Sequence, residues 1–346
     1  MFVRWQSQEV GADDQGRLPG YSDGTVVRRF DAPEALDTRF YEVRAKSALN
    51  HVPASSRVPF EWTINPYRGC THACHFCFAR PTHEYLGLNA GEDFDREIIV
   101  KVNLPEVLRV ELARPSWKGE RVALGTNTDP YQWVEGRYKL MRGIWEAMRD
   151  FSNPCSILTK SPLLLRDTDL LLEIAQRTSV SACLSVPTLD EKMWRATEPH
   201  TPHPRARLEA VAELNRIGIP TGILIAPLMP GINDAPEQVD EIVRIADEAG
   251  ATYIGGQSLF LRGATKDVFF DWLRAKRPDL VQRYERMYGS GAYLPAAQRR
   301  TSEARLPGKR RAHADERFER PPRRRALPAL APPPSEREED RQASLF

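Results

Sequence analysis

A chain of 346 residues with 41% hydrophobic and 28% charged residues is long enough to bury a sizeable core and reads as a soluble protein. No run of about 18 apolar residues occurs, so no transmembrane helix is expected, and the polar start "MFVRWQSQEVGADDQG" lacks the apolar centre of a signal peptide, which predicts a cytoplasmic protein. The net charge of +2 is uneven, because from Arg299 onward 13 Arg and Lys face 8 Asp and Glu, a net of +5 that leaves the rest at −3.

Residues 1–58 carry Gly, Asp and Ser punctuation without sustained periodicity, and predict an arm around a core with a short helix near "EVRAKSALN". From residue 59 the chain alternates. Apolar, β-branched runs at "FEWTIN", "RVALGTN", "PCSILTK", "VSACLSV", "IPTGILIAPL" and "ATYIGGQSLF" predict six strands. Between them "GRYKLMRGIWEAMRDFS", "DTDLLLEIAQRTS", "HPRARLEAVAELNRIG" and "APEQVDEIVRIADEAG" have helical spacing; in the last, Val239, Ile242, Val243 and Ala246 share one face. A further strand, "EIIVKVN", falls in the first crossover. Regular βα alternation means a mainly parallel α/β sheet. It is laid out either as an open, partial barrel with its site at the strands' C-terminal ends or as a doubly wound sheet. After residue 298 an Arg/Pro-rich segment with little to bury predicts a disordered basic tail over 299–346.

Five cysteines, an odd number, fit a reducing compartment better than a disulfide framework. Cys70, Cys74 and Cys77 form C-x3-C-x2-C directly after the first core strand, with Phe76 as the aromatic before the last. Three soft thiolates on one loop suit three irons of a [4Fe–4S] cluster whose fourth iron stays open to a small molecule. A zinc site using the three cysteines with His72 or His75 is the competing reading, although no second C-x2-C supplies the usual second ligand loop.

Beyond the cysteines, "NPYRGCTHACHFCFARPTHEYLGL", "VKVN", "GTNTDPYQ", "ILTKS", "LSV", "EPHTPHPRARLEA" and "PLMPGIND" resemble the spore-photolyase-like branch of radical S-adenosylmethionine (radical SAM) proteins, from about Ala45 to Gly289. The resemblance implies a partial (β/α)6 TIM-type barrel over 59–298, with a [4Fe–4S] cluster and S-adenosylmethionine as cofactors. It implies that Thr126 to Asp129 contact the cofactor's amino group and that Lys160 faces its carboxylate. Ser185 matches a cofactor-contacting serine, and Phe76, Glu198 and Arg207 fall in the same pocket. His200 and His203 stand where the family commonly has glycine and serine, and a glycine there would permit positive φ. The implied chemistry is reductive cleavage of S-adenosylmethionine to a 5′-deoxyadenosyl radical that takes a hydrogen atom from substrate, with a flavodoxin or ferredoxin as electron donor.

Spore photolyases return that hydrogen from a cysteine for which "ERVALGTNTDPYQ" has no counterpart, leaving Cys183, Tyr131 or Tyr138 as candidates. The chain ends "RQASLF", in which Gln342, Ser344, Leu345 and Phe346 resemble the bacterial sliding-clamp-binding peptide, with Ala343 in place of its preferred leucine. Residues Arg299 to Arg325 hold 11 positive and 4 negative charges and suit nucleic-acid phosphates. DNA, in lesion repair, is therefore the leading substrate expectation. RNA, a protein or a metabolite, or a non-catalytic cluster protein that binds nucleic acid or the clamp, are the alternatives.

Overall fold

The computed structural model describes residues 9–13, 25–30, 37–53, 56, 58–304 and 306–307. The clamp-like peptide and nearly all of the expected tail lie outside them. Among the described residues there are twelve strands: β1 Glu9–Asp13, β2 Val26–Phe30, β3 Arg39–Val43, β4 Asn50–His51, β5 Trp62–Ile64, β6 Tyr67–Arg68, β7 Glu97–Lys101, β8 Val122–Leu124, β9 Cys155–Thr159, β10 Val180–Ser185, β11 Thr221–Leu228 and β12 Ile254–Ser258. The six expected core strands are β5 and β8 to β12. They lie side by side in chain order, each parallel to the next, with β4 antiparallel on the β5 edge. A doubly wound sheet would reverse direction about its first strand. This order never reverses, and the edges β4 and β12 do not pair, so the sheet is a partial barrel of six parallel strands.

Strand register separates two faces. Cys155, Ile157 and Thr159 of β9 and Val180, Ala182 and Leu184 of β10 are buried, in keeping with helices packed over that side. The opposite face carries Ala123, Ser156, Ser181, Cys183, Gly222 and Gly255 together with Leu158 and Leu224. Tyr253 packs against Gly222 and Gly255, where any Cβ would meet it within 3 Å. Gly125, just past β8, has φ +76, and a Cβ on it would stand 1.9 Å from the Leu158 carbonyl oxygen, so only glycine fits this close strand approach.

Four local expectations change. The segment after β3 forms no helix, because its backbone groups are taken by side chains. Asn103 accepts from the Ala45 N–H and donates to its carbonyl, while Glu111 accepts from the Ala48 and Leu49 N–H groups. The expected arm instead supplies β1 to β3 to a second sheet of order β1-β2-β3-β7-β6, in which the "EIIVKVN" strand β7 runs parallel to β3. The helix expected over 136–152 is broken at Lys139, φ +54, into Glu135–Tyr138 and Leu140–Asp150. The Glu135 carboxylate, steadied by Tyr67 and Arg166, caps the second piece by accepting from the Leu140 and Met141 N–H groups. Finally, a helix Ala296–Glu303 crosses the expected boundary at 298. Glu303 accepts from the N–H and hydroxyl of Ser258, and Leu306 packs over Gly256, so this segment covers the open edge of β12. No helix among the described residues is long and apolar enough to cross a membrane.

Candidate active site

The three-cysteine loop leaves β6 through Gly69, whose φ is +78 and whose missing Cβ would lie 2.9 Å from the Phe94 carbonyl oxygen, His83 and Ile98. Three anchors hold the loop. Gln132 accepts from the N–H and hydroxyl of Thr71 and donates to the Gly69 carbonyl. Arg80, fully buried, donates to the Cys74 carbonyl and is balanced by Asp95. Thr265 donates to the Cys77 carbonyl from the far side of the barrel. A Gly69→Ala variant is therefore expected to lose about 1–3 kcal/mol and to take up less iron. Anaerobic urea unfolding and iron analysis check both.

Cys70 and Cys74 are buried and Cys77 is partly so. Burial pushes the Cys74 thiol well above its ordinary range and the Cys77 thiol up to about 11. Such thiols are poor nucleophiles, and become thiolates when a metal takes the proton's place. Among the described residues no three His, Cys, Asp or Glu side chains converge on one metal ion. Three thiolates on one loop suit a cube, in which each iron needs only one thiolate.

Above the loop the strand ends converge. Lys160, after β9, donates to the Ser185 hydroxyl at 3.0 Å, pairs closely with Glu198, and places its ammonium 5.4 Å from the centre of the Phe76 ring. Glu198 also pairs with Arg207 at 3.1 Å, and both are fully buried. Burial pushes the Glu198 carboxyl up, but Arg207 and Lys160 outweigh it and hold the group below its ordinary range. Arg207 donates further to the carbonyls of Ser185 and Pro202 and to the Thr201 hydroxyl. Asp129 accepts from the Thr159 hydroxyl and the Lys160 N–H, and His72 Nδ1 lies 3.4 Å away. Against its burial, those neighbours keep Asp129 low. Thr126 pairs closely with Thr63 at the end of β5. Phe76, Asp129, Lys160, Ser185, Glu198 and Arg207 thus form one connected shell beside the cysteines, with Thr126 on its rim.

The two unusual histidines are accommodated without strain. His200 does not take positive φ, and its N–H faces the His72 carbonyl. His203 caps the helix Pro204–Arg216, its ring nitrogen accepting from the Arg205 N–H as a serine would. Of the hydrogen-return candidates, Tyr131 is corrected. Its phenol is fully buried in the main hydrophobic core, donating to Asp167 and accepting from the Trp145 indole, and is not turned to the barrel interior. Tyr138 donates to Glu42, on the second sheet. Cys183 does face the interior, two residues before Ser185, and its burial pushes the thiol to about 12. Gln132 and Arg80, which position the cysteine loop, were legible only as polar residues inside quoted motifs.

The Radical SAM superfamily model matches residues 64–246. This chain belongs to the radical SAM superfamily. An uncharacterized protein of Mycobacterium tuberculosis (strain ATCC 25618 / H37Rv) is 45% identical over 308 residues, 88% of this chain and 91% of that one. An uncharacterized protein of Methanocaldococcus jannaschii is 29% identical over 201 residues, 58% of this chain and 71% of its own length. Among solved structures, spore photoproduct lyase complexed with dinucleoside spore photoproduct aligns with TM-score 0.50 and 17% identity, over 73% of this chain and 81% of that chain, a likeness of fold. The protein is therefore a radical SAM enzyme whose family uses a [4Fe–4S] cluster and S-adenosylmethionine and draws on an external electron donor.

Proposed function

We propose that this radical SAM enzyme acts on damaged DNA. In this reading Cys70, Cys74 and Cys77 hold the cluster, and Phe76, Thr126, Asp129, Lys160, Ser185, Glu198 and Arg207 form the S-adenosylmethionine pocket. The observation that carries the site is the convergence beside the cysteine loop of Lys160 after β9, Ser185 at the end of β10 and Glu198 just past the helix Glu191–Thr197. When bound, the cluster supplies the electron that splits S-adenosylmethionine into methionine and a hydrogen-abstracting 5′-deoxyadenosyl radical. Lys160 offers an ammonium to an anionic group of the cofactor, with Glu198 and Arg207 fixing where that charge sits. The shell at the strand ends would exclude bulk water and hold the reacting carbon close. Cys183 remains the interior group available for hydrogen return.

The DNA part is supported by the fold shared with a lyase whose solved complex holds a dinucleoside photoproduct, and by the basic stretch Arg299–Arg325. A cytoplasmic enzyme served by a flavodoxin or ferredoxin fits this reading. The terminal Gln342, Ser344, Leu345 and Phe346 would tether it weakly to a sliding clamp. The substrate test is 5′-deoxyadenosine formation with UV-irradiated and unirradiated DNA. Stimulation by irradiated DNA with loss of a lesion supports the proposal. Equal formation with either DNA and no change in lesions sends the substrate to RNA, protein or a metabolite.

A further inference from the structure

Arg68 closes β6 and Lys101 closes β7. These strands pair antiparallel with Arg68 opposite Ile99, so Arg68 and Lys101 are diagonal neighbours on one face. Both are half-buried. The Lys101 ammonium donates 2.9 Å to the Asn65 carbonyl, and among the described residues no carboxylate pairs with either side chain. Burial, with Arg68 adding its repulsion, pushes the Lys101 amine down to about 8. Other cations around the site are balanced, Lys160 and Arg207 by Glu198 and Arg80 by Asp95. Two neighbouring, half-buried like charges cost free energy that no carboxylate among the described residues offsets.

Their place is informative. Arg68 stands two residues before Cys70, and Asn65 follows β5. The Asn65 side-chain oxygen accepts from the Asn127 N–H, in the loop that carries Thr126 and Asp129. The pair therefore lies on the rim between the cysteine loop and the loop after β8. A guanidinium fork beside an ammonium matches the oxygens of one phosphate group.

We propose that Arg68 and Lys101 form a phosphate subsite that seats a backbone phosphodiester of a nucleic-acid substrate at the mouth of the barrel. This rests on the nucleic-acid reading above and names how that substrate is positioned. The probe is a fluorescent single-stranded thymidine octanucleotide, titrated anaerobically into cluster-loaded, full-length protein. Lys101→Gln keeps a donor for the Asn65 carbonyl and removes the charge, and Arg68→Gln removes the other. Each variant is expected to bind the octanucleotide roughly tenfold more weakly and to lower the salt dependence of binding by about 0.7 in log–log slope. Cluster content and S-adenosylmethionine affinity should be retained, and Lys101→Arg should restore binding. A methylphosphonate octanucleotide, lacking backbone charge, should bind weakly and no longer distinguish the variants. Inorganic phosphate and thymidine 5′-monophosphate serve as competitors. Either one binding as tightly as the octanucleotide would overturn the proposal in favour of a small phosphorylated ligand. Variants that bind the octanucleotide like the parent protein, or lose S-adenosylmethionine affinity instead, would overturn this inference alone. A parent protein that fails to bind the octanucleotide would remove the nucleic-acid reading together with the inference.

Discussion

Replacing Cys74 with alanine is expected to yield folded protein that retains little or no iron–sulfur cluster after anaerobic reconstitution. The Cys74 carbonyl is held by Arg80 and the loop by Gln132 and Thr265, so the backbone keeps its anchors when the thiol is removed. Loss of a group one step removed from a metal typically costs 10–100-fold in affinity. Loss of one of only three thiolates should cost more, beyond about 100-fold. Iron and sulfide content, visible absorbance and the electron paramagnetic resonance signal after reduction measure this. Cys155→Ala is the contrasting variant. Cys155 is fully buried in the main core on the helix-facing side of β9. That change should cost stability while leaving cluster content at the parent level. Equal cluster loss in both variants would show that the three clustered cysteines have no special role.

Glu198→Gln should have the largest effect on stability. It removes the counter-charge of fully buried Arg207 and of Lys160 while nearly preserving shape. Stranding one member of a buried ion pair costs about 3–5 kcal/mol, which anaerobic urea unfolding reads as a fall in midpoint with little change in slope. Lys160 retains a hydroxyl partner in Ser185, whereas Arg207 has only neutral partners left. Removing the stranded charge as well, in Glu198→Gln/Arg207→Met, should therefore recover a sizeable part of the loss, because the two changes are strongly coupled. Additive losses would mean that the pair contributes independent packing and not one charge-balanced unit.

The six core strands were legible because each is a short β-branched run separated from the next by a helix-length segment. What the sequence left open was their order, since a partial barrel and a doubly wound sheet have the same local patterns. Elements that depend on side-chain capture of backbone groups were misread. Asn103 and Glu111 take the N–H groups that a helix after β3 would have used, and Glu135 splits one expected helix into two. The helix at Ala296 looked like tail because its partners, Ser258 and Gly256, lie about forty residues upstream. At the site, Lys160 and Ser185 were read at strand ends and Glu198 and Arg207 entered only through the family resemblance; in the structure hydrogen bonds and ion pairs link the four. Tyr131 shows the limit: two residues from Asp129, its phenol turns to the opposite side of the strand ends, and sequence spacing in a loop does not fix that direction. Arg68 and Lys101 stood in two separate motifs 33 positions apart, and they are neighbours only through strand pairing, which spacing does not show.

The most direct test of this enzyme's chemistry is the yield of 5′-deoxyadenosine from S-adenosylmethionine and dithionite under anaerobic conditions, for cluster-loaded parent protein and Cys74→Ala. Product formed by the parent and reduced to the protein-free background in Cys74→Ala is the expected result. A parent protein that carries a full cluster, binds S-adenosylmethionine and forms no 5′-deoxyadenosine would contradict it, and would make the cluster a structural or sensing element.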